Sequence, residues 1–193
     1  MTAEERSLLQ KLDKVLRLKQ VRAQILPIVE HVRSELTRKR NALMAWEPIG
    51  LTLFGGPLPA AIRSSWVFIL RAGANTGAER HPNSHQRMMS FEGTGDIQIE
   101  AEPAGRNARA SSDILWQSHV LVSKSQASLE RRWISIPQNV WHRAVIPNGA
   151  DWVVVSFHTV PAEELIEERP SNGDAEKMKR MLYLAHERKG RRS

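Results

Sequence analysis

The side chains with the most chemistry to offer lie in the stretch from Arg71 to Gly93, RAGANTGAERHPNSHQRMMSFEG. Four of them, Glu79, His81, His85 and Gln86, carry lone pairs that a metal ion accepts. Glu79 and His81 are two residues apart, so on an extended chain they share a face. The turn His81-Pro82-Asn83-Ser84 reverses the chain and brings Gln86 back to the same place. Farther on, Ile136-Pro137-Gln138-Asn139-Val140-Trp141-His142 supplies a second imidazole where a strand opens. Two imidazoles and a carboxylate converging on one point, with positions left open, make a divalent-metal site. Glu79, His81 and His142 are the expected catalytic and metal-holding residues. Gln86 is expected as a fourth ligand or as a hydrogen-bond partner of substrate. His85, His158 and Arg71 are the further expected substrate contacts, Arg71 through bidentate grip on a carboxylate. The plainer alternative is a Glu–His pair exposed on a loop, with His158 a satisfied structural residue in its apolar run.

These groups need a scaffold. Residues 3 to about 45 read as helical, with Leu8, Leu9, Leu12, Val15, Leu16 and Leu18 at helical steps and basic residues between them. Pro27 is expected to open or kink a second helix that buries Ile28, Val29, Val32 and Leu36. From Leu51 the period changes. Short β-branched or aromatic runs follow at 51–54, 66–71, 87–91, 96–101, 114–122, 129–136, 140–146 and 151–159, separated by Gly, Pro, Asn and Asp. Eight close strands without intervening helices predict an antiparallel sandwich or small barrel. The connection 102–112 looks least ordered. After Pro161 the pattern reads as helix again, with Asp174 as an N-cap and Met178, Met181, Leu182 and Ala185 on one face. Three parts result: an N-terminal helical arm at 1–48, a β-barrel at 49–160 and a C-terminal helical extension at 161–193.

The spacing of the chemical residues resembles the cupin family. Its first motif is glycine, five residues, His-x-His, three or four residues, Glu, six residues, glycine. Here Gly73 is followed by five residues, Glu79-Arg80-His81, four residues, Gln86, six residues and Gly93. The centre of the second motif is matched by Pro137-Gln138-Asn139, two residues and His142. Glu79 stands where the family has its first His, and Gln86 where it has its Glu. Arg131, Asn139 and Ile146 replace two glycines and an asparagine of the second motif. The resemblance covers about residues 50–160. It implies a mainly β fold, a double-stranded β-helix or jelly-roll barrel, with the metal at its wide end. The carboxylate has in effect moved from the third ligand position to the first. Asn139 is a mild change, since Asn tolerates left-handed backbone.

Oxygen and imidazole donors suit Fe(II), Mn(II), Zn(II), Ni(II) or Co(II). Fe(II) is favoured, which makes the first expectation a dioxygenase-type oxidoreductase acting on a small polar substrate. With Zn, Mn or Ni the same site acts as a Lewis acid for lyase or isomerase chemistry. A non-enzymatic, small-molecule-binding or regulatory cupin is the alternative, favoured by the basic arm. A homodimer is expected, because the family commonly pairs barrels and the arm offers an apolar stripe needing cover.

Cysteine is absent, which excludes disulfides, thiolate nucleophiles and thiolate ligands. No apolar run is long enough to span a bilayer, and the charged start lacks a signal-peptide core, so a cytoplasmic protein is expected. The net charge of +7 sits largely in residues 1–50, which carry +4. No recognition motif accompanies it, so nucleic acid is not an expected partner and the basic faces read as solvated.

Overall fold

Helix α1 (Ala3–Leu16) starts where Thr2 Oγ1 accepts the Glu5 backbone N–H at 3.2 Å, with Glu4 and Glu5 against the positive end of the dipole. The computed structural model describes residues 1–101, 115–171 and 174–184, with side chains for all of these except 171 and 174–178. Helix α2 (Lys19–Arg38) follows after a break at Arg17 and Leu18, with Leu18 extended at ψ 130°. The break is not at Pro27, as expected, because Pro27 and Ala23 both face solvent. The carbonyl that proline leaves without a donor is then hydrated, and α2 runs through.

Among the described residues ten strands follow: β1 (Met44–Ile49), β2 (Ser64–Leu70), β3 (Gln86–Glu92), β4 (Thr94–Glu100), β5 (Trp116–Val122), β6 (Trp133–Ile136), β7 (His142–Val145), β8 (Trp152–His158), β9 (Ile166–Ser171) and β10 (Asp174–Leu182). They form a five-stranded sheet in the order β1-β2-β8-β3-β6, a three-stranded sheet β5-β4-β7 and the hairpin β9–β10. Every pairing is antiparallel. The expected run at 51–54 and the first half of the one at 129–136 are instead a 3-10 turn, Leu51–Phe54, and one helical turn, Leu129–Arg132. The expected C-terminal helices are replaced by a 3-10 turn at Ala162–Glu164 and the β9–β10 hairpin. Helix propensity in that segment loses to strand pairing against the barrel, and Pro170 would break any long helix through it. The connection 102–112, Ala185 and the Met178 side chain lie outside the described residues.

The large sheet is buried on both faces, which is why β2 and β8 read as near-continuous apolar runs rather than alternating ones. Side-chain parity divides the core in two. Trp66, Phe68, Met88, Ile134 and Val154 point into the barrel. Val67, Ile69, Met89, Phe91, Val153, Val155 and Phe157 point outward, onto Leu9, Leu12 and Leu16 of α1 and Val21, Ile25, Val29, Val32 and Leu36 of α2. The arm's apolar stripe is therefore covered in cis. Asp13 of α1 is held under this layer by Arg132 and by Trp133 Nε1 at 2.9 Å, all three buried.

Two consequences are measurable. A Cβ on Gly95 would lie 2.0 Å from the ring of Trp152, which is fully buried and donates its indole N–H to Ser90 Oγ at 2.9 Å. Gly95→Ala should destabilise the fold by about 3 kcal/mol, the upper end for overpacking a full site, read as a lowered urea midpoint. Glu5 fixes α1 to the barrel through Arg87 at 2.6 and 2.9 Å and Ser135 at 2.7 Å. Burial pushes the Glu5 carboxyl up, but its hydrogen bonds to Arg87 and Ser135 and the Arg87 charge outweigh this and hold it below the usual value of 4.5. A carboxylate with a depressed folded-state value stabilises above its unfolded value and stops doing so as pH falls through the depressed one. Glu5→Gln should therefore lower the urea midpoint at neutral pH, and the gap from wild type should close towards pH values below that range. An equal gap at both pH values would refute this.

Candidate metal centre

Residues 75–80 leave β2 and lie along the free edge of β7. Asn75 bridges Val145, and Glu79 bridges His142. Glu79 and His142 exchange both backbone hydrogen bonds, each at 2.9 Å. Directly opposite residues of an antiparallel pair present their side chains to the same face. The bridge thus sets the carboxylate beside the imidazole, and His81 follows two residues on. Arg80 bridges Glu168 in turn, so the hairpin continues this second sheet beyond residues 75–80. From the large sheet, the inward parity of β3 and β8 adds Gln86, Ser156 and His158.

The two motif segments are hydrogen-bonded to each other between two antiparallel sheets, and all four motif positions turn inward onto one cavity. The fold is a cupin barrel. Asn139, at a family glycine position, takes the left-handed backbone that position requires, φ 65°. No family model matches the chain, and no curated protein matches it. Among solved structures, the cupin barrel is similar to oxalate oxidase in complex with the substrate analogue glycolate: TM-score 0.44, 13% identity, 62% of this chain and 52% of that one. It is also similar to the capsular polysaccharide assembling protein CapF from Staphylococcus aureus (TM-score 0.43, 13% identity, 62% and 29%) and to the coconut allergen cocosin (0.42, 14%, 56% and 24%). The chain spans about half the length of the oxalate oxidase chain.

Within the barrel, Glu79, His81 and His142 each offer a ligand atom, and these atoms lie within 4.8 Å of one another. His81 Nδ1 donates to the Ile166 carbonyl at 2.9 Å, and His142 Nδ1 donates to the Val140 carbonyl at 3.1 Å. Each imidazole thereby keeps its Nε2 lone pair for the interior, the arrangement that orients metal-ligating histidines. His142 Nε2 is buried without a hydrogen-bond partner among the described residues, 3.6 Å from Glu79 Oε1. That separation is too long for a hydrogen bond and is the spacing of two donors each about 2.1 Å from one ion. Gln86 Oε1 is likewise buried and unpartnered. Its orientation follows from a chain of hydroxyls. Gln86 Nε2 donates to Ser156 Oγ at 3.2 Å, Ser156 lies 3.2 Å from His158 Nε2, and His158 Nδ1 lies 3.2 Å from Ser84 Oγ. Ser84 Oγ donates to the His85 carbonyl, so His158 Nδ1 donates to Ser84, Ser156 donates to His158 Nε2, and the Ser156 oxygen takes the Gln86 amide N–H, which leaves the amide oxygen to the cavity. Buried orphan acceptors are rare and costly. A cation among these donors satisfies them, so the residues present fit a divalent metal.

Charge in the cavity is arranged to suit. Burial pushes the Glu79 carboxyl up, but contact with His142 and the Arg169 guanidinium outweigh it and bring it down to about 2, so it is a carboxylate. Burial and the neighbouring His142 bring His81 down to about 4, and burial holds His158 well below 6.5, so both are neutral near pH 7. Burial and the Glu79 charge raise Glu167 to about 7. Arg169 binds Glu79, Glu167 and the Thr76 carbonyl. The remaining walls are apolar, including Phe68, Leu70, Met88 and Ile97, with Tyr183 across them. The cavity is small: the volume open to the centre of a water molecule is about 20 Å³, enough to hold an ion.

Of the residues expected from sequence, Glu79, His81, Gln86, His142 and His158 share this cavity. Two expected substrate contacts do not. His85, the residue before β3, turns outward and places Nε2 2.6 Å from Ser135 Oγ, beside Glu5 of α1. Arg71 points away and donates to the carbonyls of Leu36, Lys39 and Ala42, closing the C-terminal end of α2, where helix carbonyls lack partners. Arg169, Glu167 and Tyr183 escaped the sequence reading because their segment was read as helix. Pro170, too close to Pro161 to leave room for a helix of useful length, was the signal against it.

Proposed function

We propose that this chain is a metal-dependent cupin enzyme acting on a small polar substrate, with Glu79, His81 and His142 holding a divalent ion and Gln86 as a fourth donor or substrate partner. The observation that carries the reading is the pair of buried, unpartnered acceptors, His142 Nε2 and Gln86 Oε1, facing one cavity with the Glu79 carboxylate. One carboxylate and two imidazoles with open positions favour Fe(II), and with it oxidation by O₂. When bound, such an ion supplies open sites for O₂ and substrate, while Zn, Mn or Ni would instead polarise a substrate oxygen. His158 and Ser156 hold the Gln86 amide in place, and His81, neutral near pH 7, keeps its lone pair available.

Metal content of tag-free protein, measured by elemental mass spectrometry, tests this. Near-stoichiometric iron supports the dioxygenase reading. Stoichiometric zinc, nickel or manganese supports lyase or isomerase chemistry. No metal, and none taken up on reconstitution, ends the metalloenzyme reading. In the regulatory alternative the basic residues Lys11, Lys14, Arg17 and Lys19 of the arm stay exposed, while its apolar side is packed onto the barrel. Pairing of two chains, if it occurs, must use another surface, and light scattering at micromolar concentration reports it. No helix among the described residues is long and apolar enough to cross a membrane.

A further inference from the structure

The β9–β10 hairpin touches the barrel through the candidate ligands themselves. On one side the Ile166 carbonyl receives the Nδ1 proton of His81 at 2.9 Å. On the other, Arg169 holds Oε2 of Glu79 while anchored on the Thr76 carbonyl at 2.7 Å. Between these two contacts, Arg80 and Glu168 exchange backbone hydrogen bonds of 3.0 and 2.9 Å and a side-chain ion pair at 2.8 Å. Tyr183, from the end of β10, closes the cavity.

Each contact constrains one donor atom. Without Ile166 O, the His81 ring has no partner fixing which nitrogen carries the proton or which way the ring faces. Without Arg169, both Glu79 oxygens are equivalent. With it, Oε2 is taken, and Oε1 is the oxygen 3.6 Å from His142 Nε2. We propose that hairpin docking and metal binding are one coupled event, in which β9 sets the His81 lone pair and selects the coordinating oxygen of Glu79, with Arg169 as the positioning residue. This rests on the metal reading above. Linkage then requires reciprocity: the docked hairpin tightens the metal, and the metal holds the hairpin down.

Co(II) titration of the full chain, with amide hydrogen exchange read by mass spectrometry, tests it. Saturating Co(II) should slow exchange across the Arg80 and Glu168 amides about tenfold or more. Arg169→Met should weaken Co(II) binding about 10- to 100-fold, the usual cost of losing a group that orients a ligand, and should reduce that protection. Arg169→Lys should recover part of both. Glu168→Gln touches no ligand but loosens docking, so it should weaken Co(II) several-fold. If Arg169→Met does not fold, Glu168→Gln and the exchange measurement decide. Unchanged Co(II) affinity in the hairpin variants, or unchanged exchange on adding Co(II), overturns the coupling. The Glu79→Ala/His142→Ala variant separates the two ideas. If it still binds Co(II) like wild type, the metal reading itself falls. If it loses Co(II) while the hairpin variants bind normally, the coupling alone falls.

Discussion

Protein carrying both Glu79→Ala and His142→Ala should bind divalent metal at least about 100-fold more weakly than wild type, since removing two donors exceeds the 10- to 100-fold cost of losing one outer partner. It should leave purification without any ion that wild type is found to carry. The size of the effect follows from what remains. His81 is then a single imidazole at a buried point, with Gln86 as a neutral amide, and neither supplies the negative charge that compensates a dication. Taking an ion out of water costs several kcal/mol unless charge and ligands replace its hydration. The fold should persist, because Arg169 keeps Glu167 and the Thr76 carbonyl as partners. Gln86→Ala should be milder, since it removes an uncharged donor. Equal metal content in wild type and the double variant, by elemental mass spectrometry, would show that any metal sits elsewhere.

Deleting residues 1–38 should abolish soluble folded protein. Eight side chains of α1 and α2, namely Leu9, Leu12, Leu16, Val21, Ile25, Val29, Val32 and Leu36, are at most 1% exposed. At about 1.5–3 kcal/mol for burying each aliphatic side chain, their gross contribution is comparable with or larger than the 5–15 kcal/mol net stability of an ordinary domain. The deletion would also bare Val67, Ile69, Met89, Phe91, Val153, Val155 and Phe157 on the outer face of the sheet. It would strip Arg132 and Trp133 of Asp13 and Arg87 of Glu5, leaving buried donors unpaired. The measurement is yield in the soluble fraction and near-ultraviolet circular dichroism. A monodisperse truncated chain with native tertiary signal would show that the arm is an appendage. The deletion is accordingly no test of partner binding, because it removes eight of the 20 buried side chains of the outer core among the described residues.

Much of this was legible before any coordinates. The Gly73–Gly93 spacing and His142 named the ligand candidates, and strand parity alone put Glu79 with His81. The same parity places Gln86 inward and His85 outward, so His85 as a substrate contact requires a bulged turn that the chain does not make. Proximity along a strand is a poor guide, since neighbouring residues face opposite sides. Arg71 failed for a related reason. It ends the strand that leads to the site, but its long side chain reaches the other way, to carbonyls at the end of α2 that needed donors.

The sequence by itself determined the local facts: which runs are apolar enough to be strands, where the chain must turn, and which side chains carry lone pairs at cupin-like intervals. It did so because these depend on residues a few positions apart. Tertiary structure alone decided what the long-range partners are. The arm's stripe meets its own sheet, whereas the apolar pattern shows only that something must cover it. Ile166–Ser171 and Asp174–Leu182 pair as strands, and β9 docks through Glu168 on the edge formed by residues 75–80, an edge invisible to local propensity. Arg169 reaches Glu79 across 90 residues, and only that contact shows which carboxylate oxygen faces His142.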